Sequence, residues 1–234
     1  MKRSDFVFLF AVALCFLPFF VSEKVYHFYV SFNHEHGYIM AFIKFAVLAT
    51  LGEVIGLRIK TGHFNQPGFG IMPRAIVWGF IGLTIKVAFV IFQFGTPIML
   101  ENLGLKNAVS ALSGPFSAEK LFVAFCTSVA LNVVYAPVMM TFHKMMDVHI
   151  VAHGGTVSGL FTFIHFKEII VNLDWNVQWN FVFKKTIPFF WIPAHTITFL
   201  LPPDFQVLFA ALLGIALGTI LSVASLKGNS NFIK

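Results

Sequence analysis

The stretch AIVWGFIGLTIKVAFVIFQFGTPIML, residues 75–100, decides the fold class. It is apolar from end to end except for one charge, Lys86. About 20 apolar residues at about 1.5 Å rise each cross a bilayer core, so the stretch reads as a membrane span. A charge placed in hydrocarbon is costly, and such residues face a polar cavity, a partner or a solute pathway. Lys44 and Glu53 pose the same question in the preceding apolar run, residues 38–57.

Working outward from residues 75–100, six segments have span-like character: 6–21, 38–57, 75–100, 121–142, 187–201 and 205–226. The expected architecture is an all-α, polytopic membrane helix bundle of about six transmembrane helices. The fifth segment is short and carries Pro188 and Pro193, and Pro202-Pro203-Asp204 turns it into the sixth as a helical hairpin. Composition agrees. The 234 residues are 58% hydrophobic, 11% charged and include 31 Phe, whereas soluble domains carry about 25% charged residues.

The basic residues give an orientation. With the N-terminus inside, the inner segments hold Lys2, Arg3, Arg58, Lys60, Arg74, Lys144, Lys167, Lys184, Lys185, Lys227 and Lys234, and the outer ones only Lys24, Lys106 and Lys120. That bias follows the positive-inside rule, with both termini cytoplasmic. The net charge of +6 is scattered between apolar runs and forms no stripe, which argues against nucleic acid as a partner. Cys15 and Cys126 both lie in apolar runs, a poor setting for a disulfide.

The chain divides by sequence into residues 1–24, a signal-like segment read as a retained anchor; 25–142, membrane helices two to four; 143–185, a His-containing cytoplasmic connector; and 186–234, the C-terminal hairpin. Within the connector, residues 148–171 contain Gly154, Gly155, Ser158 and Gly159, and are expected to form an interfacial or partly embedded helix. Trp175, Trp179 and Trp191 flank the fifth segment and suit an aromatic belt.

Counting about 1.5 Å per residue from the inner boundary places Lys86 about 16 Å deep, Asn132 and His195 about 14 Å, and Glu53 about 7 Å. Lys44 falls nearer the outer face. It lies nine residues from Glu53, on the opposite side of the helix, so the two are not a pair. Lys44, Glu53, Lys86, Asn132, His195 and Thr198 therefore form a candidate polar track, net basic and suited to small, anionic solutes. The plain alternative is that each group only satisfies a neighbour and holds helices together.

His34-Glu35-His36 lies in the first outer loop, and His143, Asp147, His149 and His153 follow the fourth span. His149 and His153 are one helical turn apart, a spacing that suits two imidazoles on one metal, with Asp147 nearby. The signal is thin, and no metal or other cofactor is expected. Neither a nucleophile elbow, a Gly-rich phosphate loop nor a Ser-His-acid set is present, so the chain does not read as an enzyme.

The last third carries a more specific pattern. Trp191, Pro193, Phe199 and Pro203 resemble the signature of the Mpv/PMP family of peroxisomal and mitochondrial inner-membrane proteins, although Pro193 falls one position late. His195 stands where the family has Gln, Thr198 where it has Asn, and Val207 where it has Arg. Upstream, Gly52-Glu53 resembles the family's Gly-Asp, and Arg74 with Gly79-Phe80-Ile81-Gly82 its Arg…Gly-Phe-x-Gly run. The family's Gly-Pro and Trp-Tyr are missing, replaced by Leu83, Ala88 and Phe89.

The resemblance covers residues 40–225 loosely and 188–225 more closely, which implies a distant, bacterial relative in the inner (plasma) membrane. It implies pores or permeability for small solutes. The expected partners are the lipid bilayer and a small-molecule solute, with self-association into a homo-oligomer left open. Competing readings are a membrane assembly or scaffold protein and a metal-dependent intramembrane enzyme.

Overall fold

The computed structural model describes residues 2–230, with side chains through residue 223. Lys234 and the side chain of Lys227, both counted above as inner charges, lie outside that set, as do the last residues of the C-terminal hairpin. Every regular element among the described residues is helical. Two compact units result, Met1–Met40 and Ala41–Lys234.

The first unit contains α1 (Arg3–Phe16), α2 (Pro18–Val21) and α3 (Glu23–Glu35). None of the residues in these three helices is buried. The expected span at 6–21 is broken at Leu17, where Pro18 opens a new helix because its ring cannot continue the old one. The Ser22 side chain then accepts a hydrogen bond from Val25 N and caps α3. Residues 23–35, expected as an outer loop, are thus helical, and they include His34 and Glu35.

The second unit holds α4 (Gly37–Thr61, whose first turn belongs to the first unit), α5 (Ile71–Asn102), α6 (Ala108–Ser113), α7 (Ala118–Val134) and α8 (Ala136–Ala152). Then follow α9 (Val157–Leu160), α10 (Phe166–Val171), α11 (Trp175–Val177), a π-helical segment (Gln178–Trp191), α12 (Ile192–Leu200) and α13 (Pro203–Ser230).

Among the described residues, three helices are long and apolar enough to cross a membrane: α4, α5 and α13 through Val223. The α7–α8 pair, bent by 44°, makes a fourth if it is one span. The expected fourth segment, 121–142, straddles that bend, which falls at Tyr135 just before Pro137. The expected fifth runs from the π segment into α12 at Ile192 with helical backbone on both sides of the junction, so the helix changes type within it. The bundle is therefore shown with three to four candidate spans, a composition that fits an integral membrane protein.

Residues 148–171 do not form the single interfacial helix expected. They comprise the end of α8, a turn, α9 and α10. Gly154 and Gly155 both take positive φ, at 69° and 68°, a conformation open to glycine that stops α8. Thr156 then caps α9 by accepting from Gly159 N.

Close helix contact rests on small residues. A Cβ added at Gly52 would lie 2.9 Å from Ile215 Cα, and one at Gly56 would lie 2.9 Å from Ser222 Oγ, so α4 and α13 meet backbone to backbone. The Gly52-x-x-x-Gly56 spacing is the small-residue motif of membrane helix pairs. On the other side, a Cβ at Gly82 would meet Ala41 O at 2.6 Å, which fixes α5 against α4. The α7 face of Ala124, Ser128 and Leu131 is buried, and this helix packs against both α5 and α12.

Gly52→Ala is expected to destabilise the bundle by about 1–3 kcal/mol, the usual cost of overpacking. Gly214→Ala, at a site with no atom within 4 Å, is expected to leave stability near wild type. Denaturant midpoints of both variants in detergent check the contrast, and equal midpoints would remove the close-contact account.

Candidate functional site

The first polar node joins α4, α5 and α8. Glu53 projects from α4, Arg74 and Trp78 lie one turn apart on α5, and His143 and Asp147 lie one turn apart on α8. Arg74 Nη1 donates to Glu53 Oε2 at 2.6 Å and also to Asp147 Oδ1. Arg74 Nε donates to the carbonyl of Phe69 at 2.7 Å, and the guanidinium lies over the Phe69 ring. Trp78 Nε1 donates to Glu53 Oε1 at 2.8 Å, and His143 Nε2 lies 3.1 Å from that oxygen.

Because an ionised carboxylate only accepts, His143 carries a hydrogen on Nε2 in this arrangement. The side chain of Arg74 is 9% exposed and those of Glu53 and Asp147 are about 20% exposed, so this is a largely desolvated ion network. Removing one member of such a group strands the others, which costs more than the intact pairs contribute.

The second node joins α7, α12 and the end of the π segment. Asn132 is fully buried. Its Nδ2 donates to Ser128 O at 2.9 Å and lies 3.0 Å from His195 Nδ1. Ser128 Oγ in turn donates to the carbonyl of Ile192 at 2.7 Å, which ties α7 to α12. The His195 ring stacks on Trp191 at 5.2 Å and meets Phe89 edge-on at 5.7 Å.

Both nodes line one cavity of about 300 Å³. Glu53, His143, Asn132, His195 and Trp191 contribute to its wall, with Lys144 exposed at the rim. The π segment supplies one side through Gln178, Phe181 and Thr186. Its i→i+5 turns bulge relative to an α-helix, a feature often found where a helix borders a site.

The candidate track thus divides. Glu53, Asn132 and His195 reach the cavity; Lys44, Lys86 and Thr198 are absent from its wall. Helical phase accounts for the split. On α4 the wall is made by Phe45, Ala49 and Gly52-Glu53, and on α5 by Trp78, Ile85 and Phe89, so Lys44 and Lys86 sit about 100° off these stripes. Lys44 is buried, within electrostatic range of Asp204 and Lys86. Thr198 is buried and donates to Ala194 O within its own helix.

The histidines after α7 separate by role. His149 Nε2 meets the carbonyl of Gly159, and His153 Nδ1 that of His149, so both fasten the turn after α8. Asp147 instead faces Arg74. The described group with donor atoms close enough for a metal is Glu53, His143 and Asp147, within 4.8 Å of one another. Those same oxygens already accept from Arg74 and Trp78, and a cation there would sit against the guanidinium.

Gly52, Glu53 and Arg74, singled out by the family pattern, meet in one region, with Gly79 and Gly82 under Phe42 and Phe45. Trp191 lines the cavity, Pro193 is exposed, Phe199 is buried beside Phe89 and Pro203 opens α13. Trp78, Gln178 and Tyr135 went unrecognised in the sequence. The Arg74–Trp78 and His143–Asp147 spacings of one turn were the available signal. Compared with protein families, curated proteins and solved structures, the chain matches none.

Arg74→Met is expected to cost about 3–5 kcal/mol, because two carboxylates lose their shared cation. Glu53→Gln keeps an acceptor for Trp78 and His143 and is expected to cost less. Urea unfolding in mild detergent ranks the two variants, and the reverse order would show that Arg74 does not hold the node together.

Proposed function

We propose that this chain is an integral membrane protein that lets a small solute through its bundle passively, by way of the cavity between the two nodes. The observation that carries this reading is the cavity itself. It combines about 300 Å³ of space with polar groups from α4, α7, α8 and α12, in a bundle whose long helices fit a membrane. The resemblance to the Mpv/PMP family points the same way. The charge bias of its loops supports cytoplasmic termini, and the family resemblance supports a bacterial inner membrane.

The placement of the lysines changes the expected solute. A net basic track favoured anions, but neither Lys44 nor Lys86 lines the cavity. Small solutes without a required charge fit this wall better. The scaffold reading keeps one specific observation in its favour: the Arg74 node is paired internally throughout, as a purely structural group would be.

Flux through proteoliposomes separates the readings. Purified protein is expected to raise permeability to glycerol above that of protein-free vesicles. Lys86→Met is expected to match wild type, while His195→Leu is expected to change the rate about tenfold, equivalent to about 1.4 kcal/mol in barrier. Absence of any protein-dependent flux across a panel of small neutral solutes and anions would end the transport reading. A strong effect of Lys86→Met alone would move the pathway off this cavity.

A further inference from the structure

On the cavity wall, two hydrogen-bond donors find no protein partner among the described residues. Gln178 Nε2 and Trp191 Nε1 are both buried and unpaired, and both residues line the cavity. Gln178 is only 5% exposed. Leaving such a donor unmet costs about 1–3 kcal/mol, and buried polar groups in folded proteins are nearly always satisfied by protein, water or ligand. The two residues are the first and last of the π segment, so the donors stand at opposite ends of one irregular wall.

A third polar group lies close by. Asn132 meets His195 Nδ1 through Nδ2 at 3.0 Å or through Oδ1 at 3.3 Å, so Nε2 accepts or donates according to the tautomer. His195 stacks on Trp191 and lines the same cavity. The unmet demand of Gln178 and Trp191 is for acceptors.

Charge limits the acceptor. The charged groups Glu53, His143 and Lys144 are on the far wall, while the π segment's own lining residues, Gln178, Phe181, Val182, Thr186 and Trp191, carry no formal charge. An anionic ligand held by these donors would have no cation beside it on that wall, at high cost in a desolvated site. The rest of the wall is aromatic, aliphatic and thioether: Phe45, Phe89, Phe181, Met139 and Met140 among others. Its volume of about 300 Å³ is at the small end of ligand pockets.

We propose that the cavity binds a neutral, lipid-soluble molecule carrying a carbonyl oxygen. The oxygen accepts from Gln178 Nε2 at one end of the π wall or from Trp191 Nε1 at the other, and the apolar body lies against the phenylalanines and methionines. The proposal uses the cavity of the transport reading but concerns occupancy, not flux, so binding and transport are separately falsifiable.

Benzophenone is a suitable probe, being a neutral diaryl ketone that crosslinks to adjacent C–H bonds on irradiation. The purified full chain in lipid nanodiscs is irradiated with it at low concentration and the adducts are located by mass spectrometry. Adducts are expected on Met139, Met140 and Phe181 in excess over Phe94, an exposed residue on α5. At least one of Gln178→Leu and Trp191→Phe is expected to lower the cavity adducts about threefold to tenfold, the worth of one neutral hydrogen bond, with the Phe94 signal unchanged.

Wild-type adducts spread evenly over cavity and lipid-facing residues would overturn the site, with no variant needed. Cavity adducts that persist undiminished in both variants would overturn the role of the two donors, and with it the carbonyl requirement.

Discussion

The contact on which the rest of this bundle depends is the one Arg74 makes with Glu53 and Asp147. A single guanidinium nitrogen joins carboxylates from α4 and α8 while itself belonging to α5. In a largely desolvated setting these groups have little water to fall back on. The three helices are therefore held at fixed phase, because rotating any one of them strands a charge. Nε, spent on the Phe69 carbonyl, extends the constraint to the loop before α5. That loop is pinned from the other side where Gly70 approaches Gly155 too closely for a side chain on either.

Fixed phase is what makes a cavity possible. Gly52 and Gly56 bring α4 hard against α13, and Gly82 seats α5 against α4. Backbones that touch on one side leave a gap where bulky residues hold helices apart on another, and Phe45, Trp78 and Phe89 stand at that gap. The π segment closes it. Pro188, inside that segment, lacks the amide hydrogen a regular α-helix would use, and the widened turns accommodate the loss. Space, polar groups and an irregular wall thus follow from a few positions whose residue types leave little choice.

Much of this was legible in the chain. The run 75–100 is the core of α5, and Glu53 sits where a charge in an apolar helix demands a partner. Asn132 and His195, placed at equal depth by counting residues, are hydrogen-bonded to each other. What counting could not supply was azimuth. Lys44 and Lys86 have the right depth to join a polar track, but they sit one residue out of phase with the wall. Arg74 looked like a loop charge recording topology, although it lies in the first turn of α5 and faces inward. The interruptions at Leu17–Pro18 and Tyr135 and the change of helix type at Ile192 were hidden because hydropathy reads composition, whereas these depend on single prolines and bends.

The two nodes differ in a way that bears on where activity resides. Around Arg74 both Glu53 oxygens, one Asp147 oxygen and the Trp78 and His143 donors are engaged. A node so fully paired resists change, since a ligand arriving there must first break a bond of equal strength. Around the π segment the balance is reversed, because Gln178 and Trp191 hold donors that nothing meets. Unspent hydrogen bonds in a dry wall are destabilising in the empty state and become favourable only when an acceptor arrives. The charged cluster around Arg74 is the fixed frame. The uncharged wall opposite it is where an incoming molecule gains most.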